Sequence, residues 1–203
     1  MQTNNFNITA LILAAGSSSR MGKSKQFLEV SGKALLIKTI ENVLNSLIKN
    51  IVVVLGHNSE AHTKLIKHLP TTIVHNTSWE RGMGSSIKAG MDEMEKKDQA
   101  VDGVICMVCD QPYLTSDHLN SLITAFNNNP KKIIASSYRN TIGVPVLFPK
   151  KYFDELTNLD DAQGAKTILD SNKQEIISIN FPRGEIDLDT KEDYDIFLKN
   201  YNP

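Results

Sequence analysis

Ala10-Leu-Ile-Leu-Ala-Ala-Gly-Ser-Ser-Ser-Arg-Met-Gly-Lys-Ser-Lys25 is the stretch on which the reading of the fold turns. Its first six residues are apolar without alternation, the pattern of a parallel strand covered on both faces. Gly16 ends the run, three serines follow, and Arg20, Lys23 and Lys25 then supply positive charge. Glycine and serine allow backbone N–H groups to approach phosphate oxygens closely. A triphosphate is the guest that suits such a turn. The plain alternative is a solvated loop that happens to be basic.

Working outward, short apolar runs alternate with amphipathic stretches. Strands are expected at residues 51–55, ended by Gly56, and at 72–75, 101–108, 132–136, 144–148 and 176–179. Helical spacing covers residues 34–48, 58–68, 84–96, 116–127, 150–158, 164–171 and 191–200. Pro145 places its strand at an edge or a bulge. Alternation of this kind gives βαβ units and a mostly parallel sheet with helices on both faces, a Rossmann-like three-layer α/β/α fold. No internal repeat, low-complexity tract or linker interrupts it, so residues 1–203 read as one domain.

The chain has 203 residues, 40% of them hydrophobic and 22% charged, enough to bury a core. A net charge of −1 argues against general nucleic-acid binding. It hides an opposition, because residues 20–38 are strongly basic and residues 183–203 strongly acidic. No run reaches the roughly 18 apolar residues of a membrane span, and the N-terminus lacks a basic region before an apolar one. Cys106 and Cys109 lie on one strand, three apart and hence on opposite faces, with no second pair to complete a zinc site. They read as core thiols. A cytoplasmic protein without membrane or nucleic-acid partners is expected.

Ligands of open α/β sheets bind beyond the carboxyl ends of strands. The Walker A loop nearly fits at the first strand end, but five residues rather than four separate Gly16 from Gly22, and Gly32 arrives too soon for a helix starting at the lysine. The dinucleotide fingerprint fails too, since Gly82-Met-Gly84 has Ile87 where its third glycine belongs. Asp110 follows the strand that ends at Val108. It is a magnesium position or a turn cap, and Thr115 or Ser116 already serves as the cap of the next helix. Asp187 and Asp189 alternate, so on an extended segment both carboxylates face one side and repel unless a cation lies between them. Thr190 can cap the last helix without Asp187. Gly82-Met-Gly-Ser-Ser86 precedes a helix, and its serines either cap that helix or hold a base or ribose. The five histidines lack zincin spacing and read as surface or helix-start residues; His57, after a strand end, is a weak candidate.

Taken in order, Leu13-Ala-Ala-Gly-Ser-Ser-Ser-Arg-Met-Gly22 with Lys25, Val54-Leu-Gly-His57, Trp79-Glu-Arg-Gly-Met-Gly-Ser-Ser86, Asp110-Gln-Pro112, Gly143-Val-Pro145 and Asp187-Leu-Asp-Thr-Lys-Glu-Asp193 resemble the molybdenum-cofactor cytidylyltransferases. These are nucleotidyltransferases of the nucleotide-diphospho-sugar-transferase fold. The resemblance implies that Leu13, Ala14, Ala15, Gly16, Ser17, Ser18 and Lys25 bind the nucleotide, with Gly82, Ser85 and Ser86 near base and ribose. It implies that Arg20 holds the leaving pyrophosphate, that Lys25 neutralises the α-phosphate, and that Asp110 with Asp187 and Asp189 binds Mg2+. Gln111, Gly143 and Pro145 would face the acceptor. The substrates implied are CTP and a molybdopterin-type acceptor, with a molybdoenzyme as recipient of the product. Where relatives carry Leu-x-Gly-Asp-x-Gly-Ala-Arg, this chain has Leu159-Asp-Asp-Ala-Gln-Gly-Ala-Lys166, and lysine does not reproduce a bidentate arginine contact. Competing readings are a sugar- or alcohol-phosphate nucleotidyltransferase, a P-loop-like kinase or ATPase, and a non-catalytic nucleotide or cofactor carrier.

Overall fold

The computed structural model describes residues 6–96 and 100–201. The expectation about a leader falls mainly on residues 1–5, outside the described residues. In chain order the elements are β1 (Ile8–Ala14), a small hairpin of β2 (Glu29–Val30) and β3 (Lys33–Ala34), α1 (Leu35–Leu44), β4 (Asn50–Leu55) and α2 (Ser59–Ile66). Then come β5 (Thr72–His75), α3 (Met83–Lys96), β6 (Gly103–Val108), α4 (Ser116–Asn128), β7 (Ile133–Tyr138) and β8 (Thr141–Pro149). The last third holds α5 (Phe153–Thr157), α6 (Ala165–Ser171), β9 (Ile176–Asn180) and α7 (Lys191–Asn200).

Seven strands form one sheet in the order β5-β4-β1-β6-β8-β7-β9. Only β8 runs against its neighbours, so the sheet is mostly parallel. The unbroken apolar runs follow from burial on both faces. Along β1, Ala10, Ile12 and Ala14 pack with α1, α2 and α4, whereas Leu11 and Leu13 pack with α3, α5 and α6. Cys106 and Cys109 divide between the same two layers. Both thiols are buried and unpaired, and burial pushes each up to about 12. They are core residues, inert at neutral pH.

One strand differs from its expected place. Pro145 does not mark an edge, because β8 is interior, flanked by β6 and β7. The bulge half of that expectation holds. Ala135 pairs with Val146 but Ser136 with Gly143, so Val144 and Pro145 stand outside the ladder and need no N–H partner there. The hairpin of β2 and β3 was not foreseen. Ser31 and Gly32 both have positive φ, the two-residue turn such a hairpin requires. No helix begins at Lys23; Ser19–Met21 and Lys25–Phe27 are single 3-10 turns. Among the described residues no helix is long and apolar enough to cross a membrane.

Candidate active site

The carboxyl ends of β1 and β6 open into a cleft of about 310 Å³ lined by Leu13 to Ser17, Lys25, Gln26, Trp79, Gly82, Met83, Ser86 and Asp110. Gly16, exposed, is one of its lining residues. A Cβ at this position would meet nothing within 4 Å, and its φ is not in the left-handed region. Neither packing nor backbone conformation of the free protein demands glycine there, which leaves room for a guest. Ser18 is left-handed, and its hydroxyl accepts the Lys25 N–H at 3.1 Å, closing the loop over residues 18–25.

Lys25 is the centre of charge. Its ammonium contacts Asp110 Oδ2 at 2.5 Å and Asp189 Oδ1 at 2.8 Å. Burial works against that charge, yet the two carboxylates hold the lysine protonated well above its usual range. Arg20, largely exposed, reaches the other oxygen of Asp189 at 3.0 Å. Lys25 and Arg20 together hold Asp189 below the ordinary carboxylate range. Asp187 has the opposite fate. Surrounding chain desolvates it, Asp110 and Asp189 repel its charge, and its carboxyl is raised well above the ordinary range.

The segment that carries these aspartates is fixed by the residue between them. Leu188 is fully buried in a cluster with Met21, Leu28, Val30, Leu35 and Phe197, and its N–H donates to the Asp110 carbonyl at 3.0 Å. Alternation then turns Asp187 and Asp189 away from that cluster. Neither caps α7. Thr190 does so, in a capping box with Asp193. Thr115 caps α4, so Asp110 is not needed as a cap either.

The turn before α3 is crowded. The backbone of residues 160 and 161 lies where side chains at Gly82 and Gly84 would go, and Gly84 N–H donates to the Asp161 carbonyl at 2.8 Å. Arg81 pairs with the Asp161 carboxylate. Residues 160–162 are therefore built onto the turn expected near base and ribose. Ser85 does not cap α3. Its hydroxyl points to the carbonyls of Gly82 and Ser78, at 2.7 and 3.1 Å. Asn76, buried at the end of β5, donates to both Ser85 and Ser86 at 2.9 and 3.0 Å. Ser86 lines the cleft, whereas Ser85 and Ser18 are not among its lining residues.

Gln111, Gly143 and Pro145 come together beside Asp110, but largely in structural work. The Gln111 amide nitrogen donates to the carbonyls of Gly184 at 2.7 Å and Val144 at 3.3 Å. Gly143 leaves space for the Tyr138 hydroxyl. The Pro145 carbonyl accepts from Ser136 at 2.8 Å. His57 is exposed and lies edge-on to Trp79, with its backbone N–H on the Ala15 carbonyl at 2.9 Å. His62 and His118 lie in the first turns of α2 and α4, the helix-start half of the expectation, but both are buried rather than at the surface.

Three site residues were not singled out from sequence: Gln26, Trp79 and Asn76. Asn76 follows a strand end, the place where polar side chains serve ligands in such sheets, and that signal could have found it. Trp79, the single tryptophan of the chain, sits in a quoted motif, where a side chain at Gly56 would meet its Cβ at 2.5 Å.

Comparison with known proteins gives the chain a family and supports its fold. The MobA-like NTP transferase domain matches residues 10–176. Purine catabolism protein PucB of Bacillus subtilis is 28% identical over 202 residues, spanning 93% of this chain and 95% of that protein. The molybdenum cofactor cytidylyltransferase of Escherichia coli is 25% identical over 189 residues, spanning 92% and 93%. Among solved structures, Rv0371c of Mycobacterium tuberculosis superposes with a TM-score of 0.81 at 22% identity, over 97% of this chain and 100% of that one. That protein is also known as a manganese complex, with a TM-score of 0.78. At such identities the superpositions speak for the fold alone. A family match over most of the chain, on a sheet whose strand ends gather glycine, cations and carboxylates into one cleft, identifies the protein as a nucleotidyltransferase belonging to the MobA-like NTP transferase family.

Proposed function

We propose that this nucleotidyltransferase uses CTP and Mg2+ to place a CMP group on a phosphorylated acceptor of the molybdopterin type, releasing pyrophosphate. One observation carries the reading. Lys25 and Arg20, from the basic segment, are ion-paired with Asp110 and Asp189 at the mouth of the cleft below Gly16. The E. coli relative is named a cytidylyltransferase for the molybdenum cofactor, which supports both choices of substrate.

The residues fit a divalent cation. Asp110 Oδ1 is buried and has no hydrogen-bond partner, and Asp187 is raised first by desolvation and then by the like charge of Asp110 and Asp189, which a cation would relieve. Among the described residues no group of three His, Cys, Asp or Glu side chains is placed to hold a metal ion. Mg2+ commonly needs only one or two carboxylates from the protein, with phosphate oxygens and water completing its shell. When bound, the ion would be held by Asp110 with Asp187 or Asp189 and would offset charge on the phosphates.

The chain's own residues then do the following. An oxygen of the acceptor phosphate attacks the α-phosphorus in line. A new P–O bond forms there, and the bond to the pyrophosphate oxygen breaks, with pyrophosphate leaving as the anion. The attacking oxygen is already ionised, so no general base is needed. Lys25 neutralises the α-phosphate and Arg20 receives the pyrophosphate. Both cations must leave their carboxylates to do this, so triphosphate and divalent cation are expected to enter together, each taking one side of the existing ion pairs. Backbone N–H groups at Gly16 and Ser17 support the phosphates, while Gly82 and Ser86 meet the nucleoside. Alignment and electrostatics supply the catalysis. The test is a screen of CTP, GTP, UTP and ATP against molybdopterin and several sugar phosphates, measuring pyrophosphate. Release with CTP and molybdopterin supports the proposal. Release with another pair redirects the substrate assignment.

A further inference from the structure

A line of buried polar groups runs from the loop after β1 to α2 and has no part in the chemistry above. Gln26 is 1% exposed. Its amide nitrogen faces the Ala14 carbonyl at 2.9 Å and the Gly16 carbonyl at 3.4 Å. Its oxygen takes the Ser24 hydroxyl at 2.7 Å. Ser24 Oγ in turn lies 2.7 Å from His62 Nε2, and His62, on α2, is fully buried.

The direction of every bond follows from the loop end. Two carbonyls require donors, so the Gln26 nitrogen faces them and its oxygen faces Ser24. The serine has one hydrogen and gives it to Gln26. The contact with His62 must then be a donation from Nε2–H. This leaves Nδ1 bare, and that atom is indeed buried without a partner. Burial also lowers the histidine below its ordinary range, which keeps the ring neutral.

The consequence lies on the far side of the peptide planes. A trans peptide points its N–H opposite to its carbonyl. Holding the Ala14 and Gly16 carbonyls on Gln26 therefore fixes the opposed N–H groups of Ala15 and Ser17, two residues that line the cleft. We propose that Gln26 is a positioning residue that sets these phosphate-facing N–H groups, and that Ser24 and His62 hold its amide in the required orientation. The inference rests on the reading of this cleft as a triphosphate site.

Trp79 lines the same cleft and is the chain's single tryptophan, so its fluorescence reports occupancy directly. Inorganic pyrophosphate and CTP, each with Mg2+, are titrated into wild type, Gln26→Met, Gln26→Glu and Ser24→Ala, with melting temperatures measured in parallel. Methionine keeps length without a donor; glutamate keeps the oxygen for Ser24 but sets a second oxygen against the carbonyls. Expected is a loss of affinity of tenfold or more in both Gln26 variants and a smaller loss in Ser24→Ala. In steady state KM for the nucleotide should rise with KM for the acceptor unchanged, a split that general loosening would not produce. Wild-type affinity in the Gln26 variants, or equal rises in both KM values, overturns the inference. Should the Gln26 variants fail to fold, Ser24→Ala carries the test, and unchanged affinity there overturns it. If wild type itself binds neither ligand, the triphosphate reading of the cleft has failed instead.

Discussion

Asp110 carries two tasks on two oxygens. Oδ2 holds Lys25, and Oδ1 stands buried and unpartnered. An asparagine has nearly the same shape but brings no charge to either. Asp110→Asn should therefore lower kcat for pyrophosphate release by a factor of about 10²–10³, a size typical for removing one fixed electrostatic group. The melting temperature should stay close to wild type. Full activity in this variant would show that Asp110 holds no cation. Asp110 and Asp189 stood out in the sequence because one lies just beyond an apolar run and the other in an alternating pair, where local pattern predicts direction; Lys25 stood out as a cation of the glycine-serine loop. Gln26 could not be read as a support. What defines it is its amide folding back on the loop carbonyls of Ala14 and Gly16, and a lone buried amide leaves no periodic trace.

At the scale of elements, β1, β4 and β6 were plain from their continuous apolar runs, since burial on both faces writes itself into composition. The position of β8 was not. Proline predicts a missing ladder bond, but an edge and an interior bulge satisfy that demand equally, and only long-range pairing decides between them. The bulge is tied to α4 by a second buried histidine. His118 stacks on Phe181 at 4.3 Å and contacts Ser136 at 2.8 Å, and Ser136 donates to the Pro145 carbonyl. His118 Nε2 is thus the donor. Burial lowers this ring from 6.5 to about 4. The unfolded chain takes the proton near pH 6.5 and the folded one only near pH 4, so protons favour unfolding between these values. Stability from this group is complete above pH 6.5 and falls by up to about 3 kcal/mol as pH drops to 4, then levels off. Denaturant unfolding of wild type against His118→Gln across this range should show the slope in wild type alone. Equal slopes would mean that His118 is protonated in the folded state.

For the whole molecule, the near-zero net charge was the least informative quantity in the sequence, and the structure explains why. The basic segment at residues 20–38 and the acidic one at 183–203 meet, joined by a small apolar cluster of Met21, Leu28, Val30, Leu35, Leu188 and Phe197. Tyr194 adds a hydrogen bond to the Glu29 carbonyl at 2.8 Å, and Lys23 lies over the Tyr194 ring. The loop after β1 and the aspartates of the last segment are consequently one packed unit, though some 165 positions separate Arg20 and Lys25 from Asp189. Leu188→Ala should cost about 2–5 kcal/mol, the range for truncating a buried leucine. It should also weaken CTP binding measured well below the melting temperature, because Asp187 and Asp189 lose their shared anchor. Stability loss with unchanged binding would show that the cluster does not position the site.

The central claim is transfer at the α-phosphorus, and following that atom tests it most directly. Each of the four nucleoside triphosphates, labelled at the α-phosphorus, is supplied with Mg2+ and a phosphorylated acceptor, molybdopterin first. The account predicts that label from CTP appears on the acceptor, matched mole for mole by pyrophosphate. Label left in a nucleoside diphosphate, with the γ-phosphate found free or on the acceptor, would contradict it.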